Sequence, residues 1–260
     1  MDKDDTNISS RSTTPTPDRA SSRETARRLT RAIEEGHTSV PEEAEPLVCK
    51  PRHVESWRVF KIMSEFVEGF DVIRRYTLAA TFFGSARGTL KPEVYQAATD
   101  LAAKLAKEGY AIVTGGSAGI MQAANRGAYD AGGASVGLNV RLPHPQKENR
   151  YLTETFEFDH FFVRKVMLTF ASEVYVFFPG GFGTLDEFFE IVTLVQTGKI
   201  RRVPIVMYDS AYWGPLLKFV DEMLLEKFKT IGPEDRKLLY IVDSVDEAFS
   251  YIQKNVVRGC

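Results

Sequence analysis

The chain has 260 residues, 43% of them apolar, which is enough for one large domain or two small ones with a sizeable core. Its formal net charge of −2 gives no reason to expect nucleic acid or an anionic membrane as a main partner. No apolar run approaches the roughly 18 residues that a membrane span needs, and the polar, acidic start is unlike a signal peptide. The composition therefore predicts a cytoplasmic protein with no nucleic-acid and no membrane partner.

Cysteine and histidine are too sparse to predict a metal site or a disulfide framework. Cys49 and Cys260 are the only cysteines, and the four histidines lack the i,i+4 pairing of a metalloprotease helix. Two isolated thiols fit a reducing compartment. We therefore expect no metal in this protein.

Residues 1 to about 50 have the composition of a disordered tail. The segment is rich in Ser, Thr, Pro and Arg, as in STTPTPDRASSRETARRL, and has few large apolar residues to bury. A solvated tail is the favoured interpretation, and a partner-binding or regulatory arm is the alternative. Residues 51–260 are predicted to form the folded domain.

The character of the sequence changes at Trp57, where an amphipathic first helix is predicted over residues 57–73. Trp57, Phe60, Phe66 and Val67 recur at helical spacing in SWRVFKIMSEFVEGFDVI. Such a helix can pack on the domain or lie in an interface between subunits.

Short apolar strands then alternate with longer helices to the end of the chain. This alternation predicts an α/β protein: a single doubly wound, Rossmann-like parallel sheet with helices on both faces. The strands are predicted at 78–86, 110–116, 134–140, 153–159, 173–178, 203–209 and 238–243. The helices that follow them are predicted at 92–107, 119–131, 160–171, 185–197, 212–227 and 245–255.

Three of these strands end in glycine-rich turns, where such folds bind their ligands. The turns are FFGSARG (82–88), VTGGSAGIMQAANRGA (113–128) and FFPGGFGTLDE (177–187). Glycine lets backbone N–H groups approach an anion, and a helix N-terminus adds partial positive charge, so three such turns favour phosphate binding over tight packing alone. No G-x-G-x-x-G or G-K-[ST] pattern is present, which argues against NAD and ATP and leaves a mononucleotide or sugar phosphate.

Two charged residues near these turns have both a functional and a structural interpretation. Arg164 lies on an apolar helix face, so it needs a carboxylate or phosphate partner unless its tip reaches solvent, and the residues leave both alternatives open. Glu187 follows Thr184 by three residues, which is the spacing of a capping box. From the residues alone, capping is the favoured interpretation of Glu187.

The pattern P-G-G-x-G-T-x-x-E at 179–187, with RK at 164–165 and GGSAGIM at 115–121, resembles the signature of the LOG (Lonely Guy) family. These proteins are cytokinin-activating phosphoribohydrolases, often mislabelled as lysine decarboxylases, and the chain resembles their longer, type II branch. The resemblance implies hydrolysis of the N-glycosidic bond of a nucleoside 5′-monophosphate, either a cytokinin nucleotide or AMP, to free base and ribose 5-phosphate. It implies no metal or organic cofactor, and a homo-oligomer, either a dimer or a hexamer.

Carried over by motif position, the resemblance also implies roles for individual residues. Arg164 and Glu187 are the implied catalytic pair. The implied substrate and phosphate contacts are Gly84, Ser85, Gly115, Gly116, Gly119, Met121, Lys165, Gly180, Gly181, Phe182, Gly183, Thr184 and Thr193. One departure concerns the LPHPQ loop, where Pro145 stands about where relatives tend to carry an acid. Glu148 is the candidate replacement, and base recognition is left open.

Two other functions are compatible with parts of the sequence. Lysine decarboxylases depend on pyridoxal phosphate held by a Schiff-base lysine, and nothing in the chain resembles that site. The resemblance also extends to non-catalytic carriers or sensors of nucleotide-like ligands, such as molybdenum-cofactor carriers. Arg164 and Glu187 favour the hydrolase, because a carrier has no need of such a pair.

Overall fold

The computed structural model describes residues 56–141 and 149–256. The predicted tail at residues 1–50 lies outside these ranges, as do Pro145 and Glu148. The described helices are α1 (Ser56–Ile73), α2 (Pro92–Lys107), α3 (Ile120–Asp130), α4 (Phe161–Phe170), α5 (Phe182–Gln196), α6 (Ser210–Phe219), α7 (Pro233–Arg236) and α8 (Val245–Asn255), with a π-helix, Val220–Lys227, continuing α6. The strands are β1 (Ala79–Phe83), β2 (Ala111–Thr114), β3 (Ser135–Val140), β4 (Glu154–Phe158), β5 (Val174–Phe177), β6 (Ile205–Tyr208) and β7 (Leu239–Val242).

The described strands form one parallel, seven-stranded sheet in the order β4-β3-β2-β1-β5-β6-β7. The chain moves from β1 through β2 and β3 to one edge, then returns to place β5 on the other side of β1. Phe83, the last residue of β1, pairs in register with Phe177, the last residue of β5. Open α/β sheets bind ligands outside the carboxyl ends of the strands where the order reverses, so the segments after Phe83 and Phe177 are the expected site.

Helices cover both faces of this sheet, because the strand side chains alternate between two apolar cores. In β5, Tyr175 and Phe177 belong to the core under α1, α4, α5 and α6, whereas Val174 and Val176 belong to the core under α2, α3 and α8. All four side chains are buried, which explains why the strand reads as a continuous apolar run. The prediction of a doubly wound sheet with helices on both faces is confirmed.

Helix α5 begins at Phe182, three residues before the predicted start, and this overturns the capping box. The N-cap is Gly181, which has no side chain to form a capping bond. Because the helix starts at Phe182, Thr184 lies in its first turn and Glu187 in its second. The side chain of Thr184 packs back over Gly180, where a Cβ would collide with its Oγ1 atom. Capping therefore does not account for Glu187, and the first turn of α5 carries no acid.

The helix predicted at 212–227 is two helices of different geometry. Helix α6 begins earlier, at Ser210, because the carboxylate of Asp209 caps it by accepting a bond from the Ala211 N–H at 3.0 Å. After Phe219 the backbone widens, and the Phe228 N–H bonds the Met223 carbonyl five residues back at 2.9 Å. Apolar periodicity does not distinguish these two windings, which is why the sequence predicts a single helix.

Candidate active site at the carboxyl end of the sheet

A cleft of about 740 Å³ opens where the strand order reverses, between the segments that follow β1, β2 and β5. A pocket of this size and place is the usual ligand site of the fold. Eleven of the residues that the sequence singles out line it: Gly84, Ser85, Gly115, Met121, Arg164, Gly180, Gly181, Phe182, Gly183, Thr184 and Glu187. The structure thus brings both members of the implied catalytic pair into one cleft with residues of all three glycine turns.

Gly116 and Gly119 do not line this cleft, and packing accounts for both. Each has a positive φ, +71° and +69°. A Cβ at Gly116 would overlap the side-chain amide of Asn139, and one at Gly119 would overlap the carbonyl of Ser85. The Ser85 carbonyl is itself fixed, because it accepts the first N–H of α3 from Ile120 at 2.9 Å. At these two positions the packing interpretation of glycine holds.

Lys165 and Thr193 also lie outside the cleft. They line a separate groove of about 690 Å³ on the outer face of α5. The Lys165 ammonium forms ion pairs with Asp186 at 2.6 Å and with Glu190 at 3.3 Å, and Thr193 is exposed. Within the described part of one chain, these two residues therefore do not reach a ligand bound beside Arg164 and Glu187.

At the start of α5, five consecutive backbone N–H groups have no acceptor among the described residues. They belong to residues 180–184, and the described residues supply a backbone partner first to Leu185, whose N–H bonds the Gly181 carbonyl at 3.1 Å. The N-terminal end of a helix carries partial positive charge. Uncapped N–H groups at such an end form a ready site for a phosphate.

Glu187 is the acid of the cleft, and its environment keeps it poised between its charged and neutral forms. The side chain is 8% exposed. Burial raises the pKa of Glu187 to about 7, against the opposing effect of the Arg164 guanidinium, which favours the carboxylate. A buried carboxyl that lines a cleft and has a pKa near neutrality has the properties of a functional acid or base.

Arg164 projects from α4 into the cleft wall, with the neighbouring Val163 and the following Met167 in the core. A Cβ at Gly115 would collide with the Arg164 guanidinium, so this glycine makes room for the arginine. Burial lowers the pKa of Arg164, and Glu187 opposes that shift. Its Nε atom is buried and meets no acceptor among the described residues. The Nε–H of this guanidinium is therefore a buried donor that the described residues leave unused.

The lining residues that the sequence did not single out include Arg87 and Tyr212. Arg87 is exposed at the mouth of the cleft, on a turn held by the Tyr95 hydroxyl, which donates to the Arg87 carbonyl at 2.7 Å. A cation directly after the Gly84 turn was a signal that could have identified it. Tyr212 lies on α6, and its hydroxyl donates to the Gly180 carbonyl at 2.7 Å. No local pattern pointed to Tyr212, because only the packing of α6 brings it there.

The described residues hold no group of three His, Cys, Asp or Glu side chains that could bind a metal ion. Over the same ranges, no helix combines the length and apolarity needed to cross a bilayer. Among the described residues that line the cleft there is no lysine to supply the amine that pyridoxal phosphate requires.

The sequence is similar to those of known proteins. Residues 121–252 match the sequence model of the family described as "possible lysine decarboxylase". A probable cytokinin riboside 5′-monophosphate phosphoribohydrolase of Oryza sativa subsp. japonica is 29% identical over 185 residues, 70% of this chain and 86% of the relative. A cytokinin riboside 5′-monophosphate phosphoribohydrolase of Arabidopsis thaliana is 30% identical over 187 residues, 69% of this chain and 77% of the relative.

Solved structures share the fold at lower identity. The molybdenum cofactor binding protein of the phototrophic bacterium Rippkaea orientalis superposes with a TM-score of 0.52 at 18% identity, over 68% of this chain and 94% of that one. A structural likeness at 18% identity shows that the two proteins share a fold and does not show a shared function. Function has to be argued from the residues of the site.

Proposed function

The chain belongs to the LOG family, whose sequence model carries the description "possible lysine decarboxylase", and from that premise we propose that it is a phosphoribohydrolase. The proposed reaction is hydrolysis of the N-glycosidic bond of a nucleoside 5′-monophosphate, which yields free base and ribose 5-phosphate. One observation carries the proposal: a buried carboxyl shares one cleft with a guanidinium and a row of backbone N–H groups, and among the described residues the guanidinium Nε–H and these N–H groups have no acceptor.

The N–H groups of residues 180–184 would bind the 5′-phosphate. Backbone donors and the positive end of α5 suit a dianion and need no lysine. Arg87, an exposed residue of the cleft lining, adds a positive charge. Holding the phosphate at the first turn fixes the sugar one helical turn from Glu187.

Glu187 would then act on the anomeric carbon. As the bond between C1′ and the base nitrogen breaks, its electron pair leaves with the base, and positive charge develops on the sugar ring. A nearby carboxylate stabilises that charge and orients the water whose oxygen bonds to C1′, and the water's proton passes to the carboxylate or to the departing base. Arg164 favours the ionised form of Glu187, which this step requires.

Two alternatives are weaker on specific grounds. A pyridoxal-dependent decarboxylase would need a lysine at the cofactor, and the cleft lining of the described chain has none. A carrier of a nucleotide-like ligand would use the N–H row, but it would gain nothing from a carboxyl whose burial raises its pKa to about 7. The charged pair therefore favours hydrolysis over binding alone.

We also propose that the protein is a homo-oligomer, with α1 at an interface. One side of α1 packs on the core through Val72 and Ile73, but Trp57 and Phe60 are 78% and 62% exposed on another side. Exposed aromatic residues on one helix mark an association surface rather than a solvated one. Trp57→Ser together with Phe60→Ser should reduce the mass measured by light scattering; an unchanged mass would exclude α1 from the interface.

The test of function is release of free base, followed by chromatography. The purified protein would be incubated with AMP and, separately, with isopentenyladenosine 5′-monophosphate, alongside the matching nucleosides and Glu187→Gln. Base released from a monophosphate, but not from its nucleoside or by the variant, is the expected result, and the ratio of rates identifies the substrate. No release from either monophosphate, while one still raises the melting temperature, would leave a binding protein.

A further inference from the structure

The segment that links β5 to α5 is held in place peptide by peptide. The Phe177 carbonyl accepts the indole N–H of Trp213 at 3.2 Å, and the Phe178 N–H donates to the Phe83 carbonyl at 2.9 Å. The Pro179 carbonyl accepts the Ser85 N–H at 3.0 Å. The Gly180 carbonyl has a side chain as its donor, the Tyr212 hydroxyl at 2.7 Å.

These carbonyl contacts decide where the free N–H groups point. In a planar trans peptide the C=O and N–H bonds point in opposite directions. Fixing the Pro179 carbonyl therefore orients the Gly180 N–H, and fixing the Gly180 carbonyl orients the Gly181 N–H. Neither N–H has an acceptor among the described residues. Because glycine allows almost any backbone rotation, the peptide between Gly180 and Gly181 would otherwise turn easily.

The residue that holds this peptide is itself rigidly placed. Tyr212 lies in the first turn of α6, and the side chain of Asp209 caps that helix. The Asp209 N–H is bonded to the Val242 carbonyl of β7 at 3.0 Å. The Tyr212 ring packs edge-on against Trp213, with ring centroids 4.9 Å apart, and Trp213 is fully buried. The hydroxyl is therefore a preorganised donor at the end of a fixed ring.

We propose that Tyr212 is a positioning residue for phosphate binding: its hydroxyl holds the Gly180 carbonyl so that the Gly181 N–H is aimed at the phosphate of the substrate. This inference rests on the proposed function and assigns a role outside the motif that carries the family resemblance. Without the hydroxyl, the peptide can turn and present its carbonyl to the anion, which repels it. The cost falls on binding of the phosphate, and the chemistry at C1′ is unaffected.

Tyr212→Phe tests the proposal, because it removes one oxygen and keeps the ring that packs on Trp213. Loss of one oriented donor is expected to raise KM for the cleaved monophosphate about 5-fold and to leave kcat within about 2-fold. Inhibition by inorganic phosphate and by ribose 5-phosphate should weaken about 5-fold, whereas inhibition by adenosine should not change. Tyr240→Phe is the matched control. Tyr240 lies on β7 and does not line the cleft, and its hydroxyl contacts Glu247 of α8 at 3.4 Å.

The outcomes separate this inference from the proposed function. Unchanged KM and unchanged phosphate inhibition in Tyr212→Phe would overturn the positioning role, and so would equal weakening of phosphate and adenosine, which would indicate a general distortion. If the wild-type protein releases no base, the proposed hydrolysis fails. Calorimetric titration with inorganic phosphate then still tests Tyr212, because weaker binding in the variant does not depend on turnover.

Discussion

Replacing Glu187 by glutamine is expected to stabilise the protein, and to do so more at pH 8 than at pH 5. Burial raises the pKa of Glu187 to about 7, from an ordinary value of 4.5. Below pH 4.5 the carboxyl is protonated in both the folded and the unfolded chain, and it costs the fold nothing. As the pH rises through 7, the unfolded chain has released this proton while the folded chain retains it or holds a buried charge. The wild-type protein therefore loses stability between about pH 4.5 and pH 7, whereas Glu187→Gln does not.

The size of the effect follows from the two pKa values. They differ by about 2.5, and each unit of pKa corresponds to about 1.4 kcal/mol, so the full cost above pH 7 is about 3 kcal/mol. At pH 5 only about 1 kcal/mol of it is present. The attraction between Glu187 and Arg164 is already contained in these values, since it acts to lower the pKa. The advantage of Glu187→Gln should therefore grow by about 2 kcal/mol between the two pH values.

Thermal and urea unfolding of both proteins at pH 5 and pH 8 would measure this. For a domain of this size 1 kcal/mol corresponds to about 2–4 °C, so the variant should melt about 6–12 °C higher at pH 8 and about 2–4 °C higher at pH 5. Glu226→Gln, at an exposed position, controls for the amide substitution itself. A Glu187→Gln advantage of equal size at both pH values would refute the argument that burial of an ionisable carboxyl is the cause.

Two further predictions concern activity. The value of kcat/KM for the wild-type protein should rise with pH and level off above about pH 7, because below that pH the Glu187 carboxyl of the free enzyme is largely protonated. A value of kcat/KM that falls through this range would show that the neutral acid is the active form. Arg164→Lys should lower kcat/KM about 100-fold with little change in melting temperature, because an ammonium group does not have the planar shape of the guanidinium that packs against Gly115. Activity near that of the wild type would show that the positive charge alone suffices. The exposed Arg126→Lys is the matched control.

The sheet was predictable because strands buried on both faces leave a plain signal. Short β-rich runs such as Val174–Phe177 lie between helical segments, and each run is one strand. The order of those strands was not predictable in the same way, since no local pattern records that β5 lies beside β1. Because the cleft depends on which strands are neighbours, the sequence predicts a cleft at the strand ends but not between which strands it lies.

Within the site, the capping box is wrong, and Arg164 and Lys165 lie in different places. Thr184 and Glu187 have the spacing of a capping box, but the spacing does not reveal that the helix already starts at Phe182. Arg164 and Lys165 are adjacent in sequence, yet successive residues of an α-helix point about 100° apart, so one enters the cleft and the other pairs with Asp186. Helix periodicity by itself is enough to assign these two neighbours to different faces, and therefore to different roles.

The glycines of the turn after β5 allow a last test, because the protein itself gives little reason for one of them. Gly183 lies in the first turn of α5, and a Cβ there would meet no described atom within 4 Å beyond its own helix backbone and chain neighbours. At Gly84, in contrast, a Cβ would lie 2.7 Å from Ile120. Alanine stabilises a helix by up to about 1 kcal/mol relative to glycine, so Gly183→Ala should raise the melting temperature. The same Cβ would crowd a phosphate on the N–H row, so KM for the monophosphate should rise at least 10-fold. A variant that is more stable yet has an unchanged KM would remove the phosphate from the start of α5.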